Sequence, residues 1–198
     1  MYMTVLKADF NSLRSQEFPI NVNDANFMHK WITSQFDSTR TEEQILTFTD
    51  IHKDAIYLYI QSKREFPEKN ITKAGFKKLI SFPVQAPKTS YITFKIFTTP
   101  VRRQDDKMRY LATPEERSAW LVEKLDSCLT DIQVKEVNQR NVVVRKKTSN
   151  ANGFAFTGTE FVGRAKVTDK DAFMKLITKG IGREKVYGSG LFLFKELN

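Results

Sequence analysis

The side chains in this sequence best suited to moving a proton at neutral pH are two histidines, His29 and His52. A free imidazole titrates near about 6.5, so modest changes in its surroundings decide whether it holds a proton. Residues 25–37 (ANFMHKWITSQFD) have helical periodicity. On that helix His29 falls at the edge of an apolar face made by Phe27, Met28, Trp31, Ile32 and Phe36, with Lys30 and Thr33 continuing the polar side. An imidazole there could touch a substrate lying on the surface, and an ordinary surface histidine would occupy the same place. His52 sits in the turn-like His52-Lys53-Asp54 and reads as structural. No Ser/His/Asp arrangement or carboxylate pair can be nominated from spacing. A single cysteine, Cys128, rules out a disulfide scaffold and a Cys-based zinc site, so no metal and no other cofactor is expected.

Three segments could bind phosphate. Val142-Val143-Val144 leads through Arg145, Lys146 and Lys147 into a polar loop that ends at Gly153, so a strand would deliver three cations to a turn. Arg102 and Arg103, with Lys107 and Arg109, form a second basic segment, tempered by Asp105 and Asp106. The third is glycine-rich: Gly180, Gly182, Gly188 and Gly190, with Arg183 and Lys185 among them. It lacks the Gly-Lys-Ser/Thr of a Walker A loop, and Lys185 stands where a dinucleotide-binding fingerprint needs its third glycine. Such a segment can let the backbone approach a phosphate chain, or it can simply reverse the chain.

The charge has a location. Over 198 residues, 32 Lys and Arg face 23 Asp and Glu, a formal charge of +9. Residues 140–185 hold eleven of the basic and only four of the acidic residues, a net +7. Positive charge concentrated in this way attracts a polyanion, and nucleic acid is the commonest one. The longest apolar runs span a few residues, far short of the ~20 needed to cross a bilayer. Lys7 and Asp9 interrupt any export signal, so a cytoplasmic protein without membrane contact is expected.

The elements that must position these residues read as two similar sets. Residues 2–10 form a strand, Asp24 caps the helix 25–37, and residues 44–52 and 55–61 form a hairpin. A short helix is expected near 73–80 and a strand over 90–98, stopped by Pro100. The second set opens with Thr113-Pro114-Glu115-Glu116, a capping box with proline at the first helical position. Its helix is expected to run to about Leu129 and puts Trp120, Leu121, Leu125 and Leu129 on a core stripe. Strands are expected over 132–137, 141–147, 154–167 and 186–194, with a helix from Asp169 or Asp171 through Ile177. The β-α-β-β-α-β order of the first set, approximately repeated, predicts an α+β fold. It would comprise two tandem ferredoxin-like domains, residues 1–93 and 94–198, each an antiparallel sheet with helices on one face.

Several segments, taken in order, resemble one family: MYMTVLKADF, FMHKWITSQF, TFKIFTTPVRR, TPEERSAWLVEKL, VVVRKK, FVGRAKVTD and KGIGREKVYGSGLFLF. The chain is similar to the CasE branch of the repeat-associated mysterious proteins, the type I-E precursor-crRNA endoribonucleases. The resemblance implies metal-independent cleavage of a CRISPR repeat RNA hairpin. In that reaction the 2′-hydroxyl attacks the phosphate and leaves cyclic-phosphate and 5′-hydroxyl ends. It places the family's histidine on His29 and a basic residue near the cleaved phosphate on Arg145. Lys146, Lys147, the basic segment 102–109 and the glycine segment would hold the RNA. Asn26 stands where some members carry a tyrosine. The implied partners are crRNA and the other Cascade subunits, with a monomer when free. The alternative is a non-catalytic subunit that binds the same hairpin.

Overall fold

The structure is a computed structural model that describes residues 1–14, 21–145 and 153–197. Lys146 and Lys147 lie outside the described residues.

The chain forms two compact units. One contains residues 1–84, 142–155 and 186–188; the other contains residues 85–141, 156–185 and 189–198.

The first unit is built on a sheet of β1 (Tyr2–Asp9), β2 (Leu46–Ile51), β3 (Ala55–Ser62) and β4 (Lys77–Pro83), in the order β2-β3-β1-β4. All three neighbouring pairs are antiparallel. This is the strand order of a ferredoxin-like domain. Three short helices accompany it: α1 (Phe10–Arg14), α2 (Ala25–Ser34) and α3 (Arg40–Glu43). Met28 and Ile32 of α2 pack with Leu6, Ala8, Ile56, Leu58 and Ile60, so the alternate inward residues of two strands share one core with the helix. Trp31 stacks on Phe76 at 5.2 Å, and Phe36 meets the edge of Phe66. Phe27, expected on the apolar face, is exposed.

The expected helix over 73–80 is instead β4, preceded by turns over 69–75. Asn70 and Gly75 take positive φ values of 59° and 78°, which end any helical run. The following residues pair with β1, where Met3 faces Phe82 and Val5 faces Ile80. In the run Lys-Lys-Leu-Ile-Ser-Phe a helical and a strand pattern are equally short, and the long-range partner decides.

The second unit repeats the strand order as β10 (Phe192–Glu196), β5 (Tyr91–Thr98), β9 (Phe154–Val167) and β8 (Leu129–Val144). A two-stranded hairpin, β6 (Val101–Gln104) with β7 (Lys107–Tyr110), is inserted between β5 and α4 (Pro114–Leu125). The turn of this hairpin puts Asp105 and Asp106 at positive φ. α4 begins with the expected capping box, in which Thr113 and Glu116 satisfy each other's backbone N–H groups. Trp120, Leu121 and Leu125 are buried as expected; Leu129 is buried too, but the helix stops at Leu125 and Leu129 opens β8. The strands expected over 132–137 and 141–147 are one strand, β8. The strand expected over 186–194 is a 3-10 turn (Lys185–Tyr187) followed by β10. α5 (Lys170–Lys179) is capped by Asp169, whose side chain accepts from the Ala172 N–H. Both units therefore have the ferredoxin-like arrangement: an antiparallel sheet with helices against it.

Candidate RNA-processing site

α2 carries the candidate proton-transfer residue. Asp24 caps it, accepting from the N–H groups of Asn26 (3.0 Å) and Phe27 (3.4 Å). The same carboxylate accepts the backbone N–H of Arg145 at 3.2 Å, and the Asn26 side-chain amide donates to the Arg145 carbonyl at 2.7 Å. Asp24 also bridges in parallel to Val143. The end of β8 is thus tied by its main chain to the first turn of α2. His29 and Arg145, 116 residues apart in sequence, both lie in the first unit. The Arg145 side chain is exposed.

His29 is half-buried one turn further along α2. Thr33 Oγ1 donates to the His29 carbonyl at 2.8 Å and lies 3.5 Å from Nδ1. With its proton given to the carbonyl, this hydroxyl offers only an acceptor to the ring. The weak contact therefore favours the tautomer with hydrogen on Nδ1, which leaves a lone pair on Nε2. Burial, reinforced by the positive charges of Arg40 and Lys30, pushes the imidazole below its ordinary pKa. A neutral ring at neutral pH with a bare Nε2 is a proton acceptor.

Tyr187 turns toward the imidazole, with ring centroids 6.4 Å apart at 82°, and Phe154 meets Tyr187 at 5.6 Å and 74°. Neither aromatic is foreseen from sequence. The available signal is Tyr187's position inside the glycine segment, a place where an ordinary turn would not need an aromatic ring. Gly188, at φ 86°, follows Tyr187 and faces Thr47 of β2.

The glycine segment divides between the two units. Gly180 ends α5 at φ 72°. Gly182 sits against Thr98, and a Cβ there would come within 2.3 Å of the threonine hydroxyl. Gly190 exchanges backbone bonds with Ile181 and Phe97, at 3.0 and 2.7 Å. At Gly182 and Gly190 the close approach that glycine permits is to the protein's own chain. Arg183 is exposed, and Lys185 donates to the Lys179 carbonyl at 3.0 Å. These residues and His29 fall in different units.

The basic segment 102–109 is the β6–β7 hairpin. Arg102, Arg103, Lys107 and Arg109 are exposed on it. Arg102 pairs with Glu123, Arg103 with Asp106 (2.9 Å) and Arg109 with Asp105 (3.7 Å). Between the hairpin and α4 lies a cleft of about 580 Å³, lined by all three arginines together with Tyr110 and Glu116. Arg117 fixes its root. This guanidinium is only 2% exposed and grips Glu136 with two bonds of 2.8 and 2.9 Å. It also donates to the carbonyls of Leu111 and Ala112 at 3.0 and 2.6 Å and lies over the Tyr110 ring.

His52 lies in its hairpin turn beside Asp50. Among the described residues, no three His, Cys, Asp or Glu side chains gather as a metal cage, and no helix is long and apolar enough to cross a membrane.

The CRISPR-associated protein family matches residues 1–195. The chain belongs to this family. Solved structures agree with the fold that the resemblance implies. The CRISPR endoribonuclease Cse3 bound to a 19 nt RNA superposes with a TM-score of 0.83 at 19% identity, over 99% of this chain and 100% of Cse3. Cas6e from Escherichia coli str. K-12 gives 0.68 at 17% identity, with both chains covered completely. A chain of a CRISPR RNA-guided surveillance complex gives 0.74 at 15% identity, again over the whole of both. No curated protein sequence matches. The fold of this CRISPR-associated protein is thus similar to that of Cse3.

Proposed function

We propose that this CRISPR-associated protein is a metal-independent endoribonuclease that cleaves the stem-loop of CRISPR repeat RNA. His29 is its proton-transfer residue and Arg145 its phosphate-binding cation. The observation that carries this reading is a half-buried imidazole, biased to the neutral form, on a helix whose first turn is bonded to the main chain of Arg145. Cse3, similar in fold over its full length, is a CRISPR endoribonuclease solved with RNA bound, which supports RNA as the substrate class.

The chemistry is a transesterification. The 2′-hydroxyl beside the scissile phosphate gives its proton to His29 Nε2 as its oxygen bonds to phosphorus. The phosphorus–O5′ bond breaks, and the leaving oxygen takes a proton from the imidazolium or from solvent. Charge gathers on the non-bridging oxygens, and the Arg145 guanidinium offsets it. The products are a 2′,3′-cyclic phosphate and a 5′-hydroxyl.

The hairpin residues Arg102, Arg103, Lys107 and Arg109, with Lys146, Lys147 and the basic glycine segment at Arg183 and Lys185, hold the RNA backbone. The glycines at 180, 182, 188 and 190 shape that segment. Proton transfer thus belongs to the N-terminal domain, while most RNA-holding residues come from the C-terminal part of the chain. The likeness to a chain of an RNA-guided surveillance complex supports retention of the product as a Cascade subunit, in the cytoplasm, by a protein that is monomeric when free.

End-group analysis of a cleaved repeat hairpin, with and without EDTA, tests this reading. The expected result is cyclic-phosphate and 5′-hydroxyl ends with undiminished yield in EDTA. Ends of 3′-hydroxyl and 5′-phosphate, or activity lost on chelation, would contradict it.

A further inference from the structure

The face of α2 that carries His29 is bordered by a closed circuit of contacts, all within the first unit. Asn26 stands three residues before His29, so the two share a helix face. Its amide holds the Arg145 carbonyl at 2.7 Å. Gly153 lies against the same strand end: a Cβ there would come within 2.6 Å of the Val144 carbonyl oxygen and 3.3 Å of Arg145 Cα. Only glycine lets the two segments approach so closely. The next residue, Phe154, opens β9 and meets Tyr187 at 5.6 Å and 74°. Tyr187 closes the circuit on the imidazole at 6.4 Å and 82°.

Within this circuit Phe154 is 37% exposed and Tyr187 is half-buried. A single exposed phenylalanine needs no explanation by itself. Here it is the outer ring of an edge-to-face pair whose inner ring meets the candidate proton-transfer group. Such pairing orients both rings while leaving part of the outer one open to solvent. The segment that bears the inner ring is seated on the sheet, since Gly188 faces Thr47 of β2. A partly open aromatic surface is therefore fixed beside the imidazole and beside the main chain of a cation, Arg145.

We propose that Phe154, backed by Tyr187, is a stacking platform for a nucleobase flanking the scissile phosphate. This rests on the reading of His29 as the proton-transfer group in RNA cleavage. The attacking 2′-oxygen must approach phosphorus opposite the departing O5′. A continuous A-form stack does not hold the backbone in that alignment, so the linkage to be cut has to be splayed and a base leaves the stack. Aromatic side chains accept such bases, because every base has a π-face to lay on a ring. With the phosphate at Arg145 and the base on Phe154, one nucleotide is held at both ends beside the imidazole. A base kept paired inside the stem has no access to the ring, so the platform favours cleavage at a linkage whose base can be extruded.

The test crosses protein variants with RNA variants. Wild type, Phe154→Ala, Phe154→Tyr and Tyr187→Phe are each given a repeat hairpin. They are also given two versions with an abasic ribonucleotide, which keeps its 2′-hydroxyl, on one side or the other of the scissile phosphate. The quantity compared is the single-turnover rate constant at sub-saturating protein, which contains losses in binding and in chemistry alike. On the intact hairpin Phe154→Ala should be slower by roughly 5–150-fold, the range of one base–aromatic stack. Phe154→Tyr and Tyr187→Phe keep both rings and should stay within about threefold of wild type. On one of the two abasic hairpins wild type should be slowed by a similar factor, and Phe154→Ala should add no further loss. Three results would overturn the platform while leaving His29 in place: Phe154→Ala at the wild-type rate, losses that multiply on both abasic hairpins, or Phe154→Tyr as slow as Phe154→Ala. A loss in Tyr187→Phe as large as that in Phe154→Ala would overturn it too, since the hydroxyl and not the ring would then be at work. A wild-type protein that does not cut the intact hairpin would overturn the parent reading, and this one with it.

Discussion

At His29, burial and two neighbouring cations act in the same direction, and both favour the neutral ring. The consequence for rate is a basic limb: cleavage should increase with pH and level off once the imidazole is deprotonated. Its midpoint should lie below the ordinary value of about 6.5. A pH–rate profile under single-turnover conditions reads it directly. Stability should move in the same direction. Because the folded pKa is lowered, the unfolded chain binds a proton that the native chain refuses in the window between the depressed and ordinary values. Unfolding therefore becomes easier as pH falls through that window. Denaturant titrations at several pH values should show the slope, and His29→Gln should flatten it. Tyr187, whose ring meets the imidazole edge to face, illustrates what spacing conceals. It lies far from His29 along the chain, in a segment whose Gly188 faces Thr47 of β2. His29 itself was legible because one helix turn displays its whole context.

Among the elements, the β6–β7 hairpin depends on one buried ion pair. Arg117 joins Glu136 of β8 to the carbonyls of Leu111 and Ala112 that follow the hairpin. Replacing it with alanine would leave the half-buried Glu136 without its counter-ion, held only by the Gln139 amide at 2.6 Å. Such a break costs about 3–5 kcal/mol, so Arg117→Ala should lose that much stability in denaturant unfolding and weaken RNA binding under conditions where it remains folded. Arg117→Lys should recover part of the stability, since an ammonium keeps the charge but not the fork. The helix starts at Asp24, Thr113 and Asp169 were readable because capping is local, a side chain and an N–H two or three residues on. β4 was not readable, since its identity is decided by β1, more than seventy residues earlier. Arg117 was hidden for the same reason. On a helical stripe it is a charged residue among apolar ones until Glu136 is brought beside it.

For the whole molecule, one strand order is repeated twice, and a net +7 of the +9 excess falls in residues 140–185. The hairpin cations are paired with exposed acids, and exposed pairs are worth only about 0–1 kcal/mol, so phosphates can displace the carboxylates at little cost. Substituting Arg102, Lys107 and Arg109 together should therefore weaken hairpin RNA binding. The slope of log affinity against log salt should fall by roughly 0.7–0.9 for each phosphate no longer neutralised. An unchanged slope would remove the β6–β7 hairpin from the interface. The double ferredoxin-like plan could be anticipated from two similar runs of elements. The joining of residues 142–155 to the first unit could not, because β8 runs unbroken from one unit into the other and no composition shift marks the crossing.

The central claim is that His29 carries out the cleavage chemistry on an RNA held by other residues. The measurement that addresses it most directly is the single-turnover cleavage rate of a cognate repeat hairpin at saturating protein, for wild type and His29→Ala, with affinity for the uncleavable 2′-deoxy hairpin measured in parallel. The account predicts a rate loss of about 10²–10⁴-fold with affinity unchanged within a few-fold. A His29→Ala protein that cuts at the wild-type rate would contradict it.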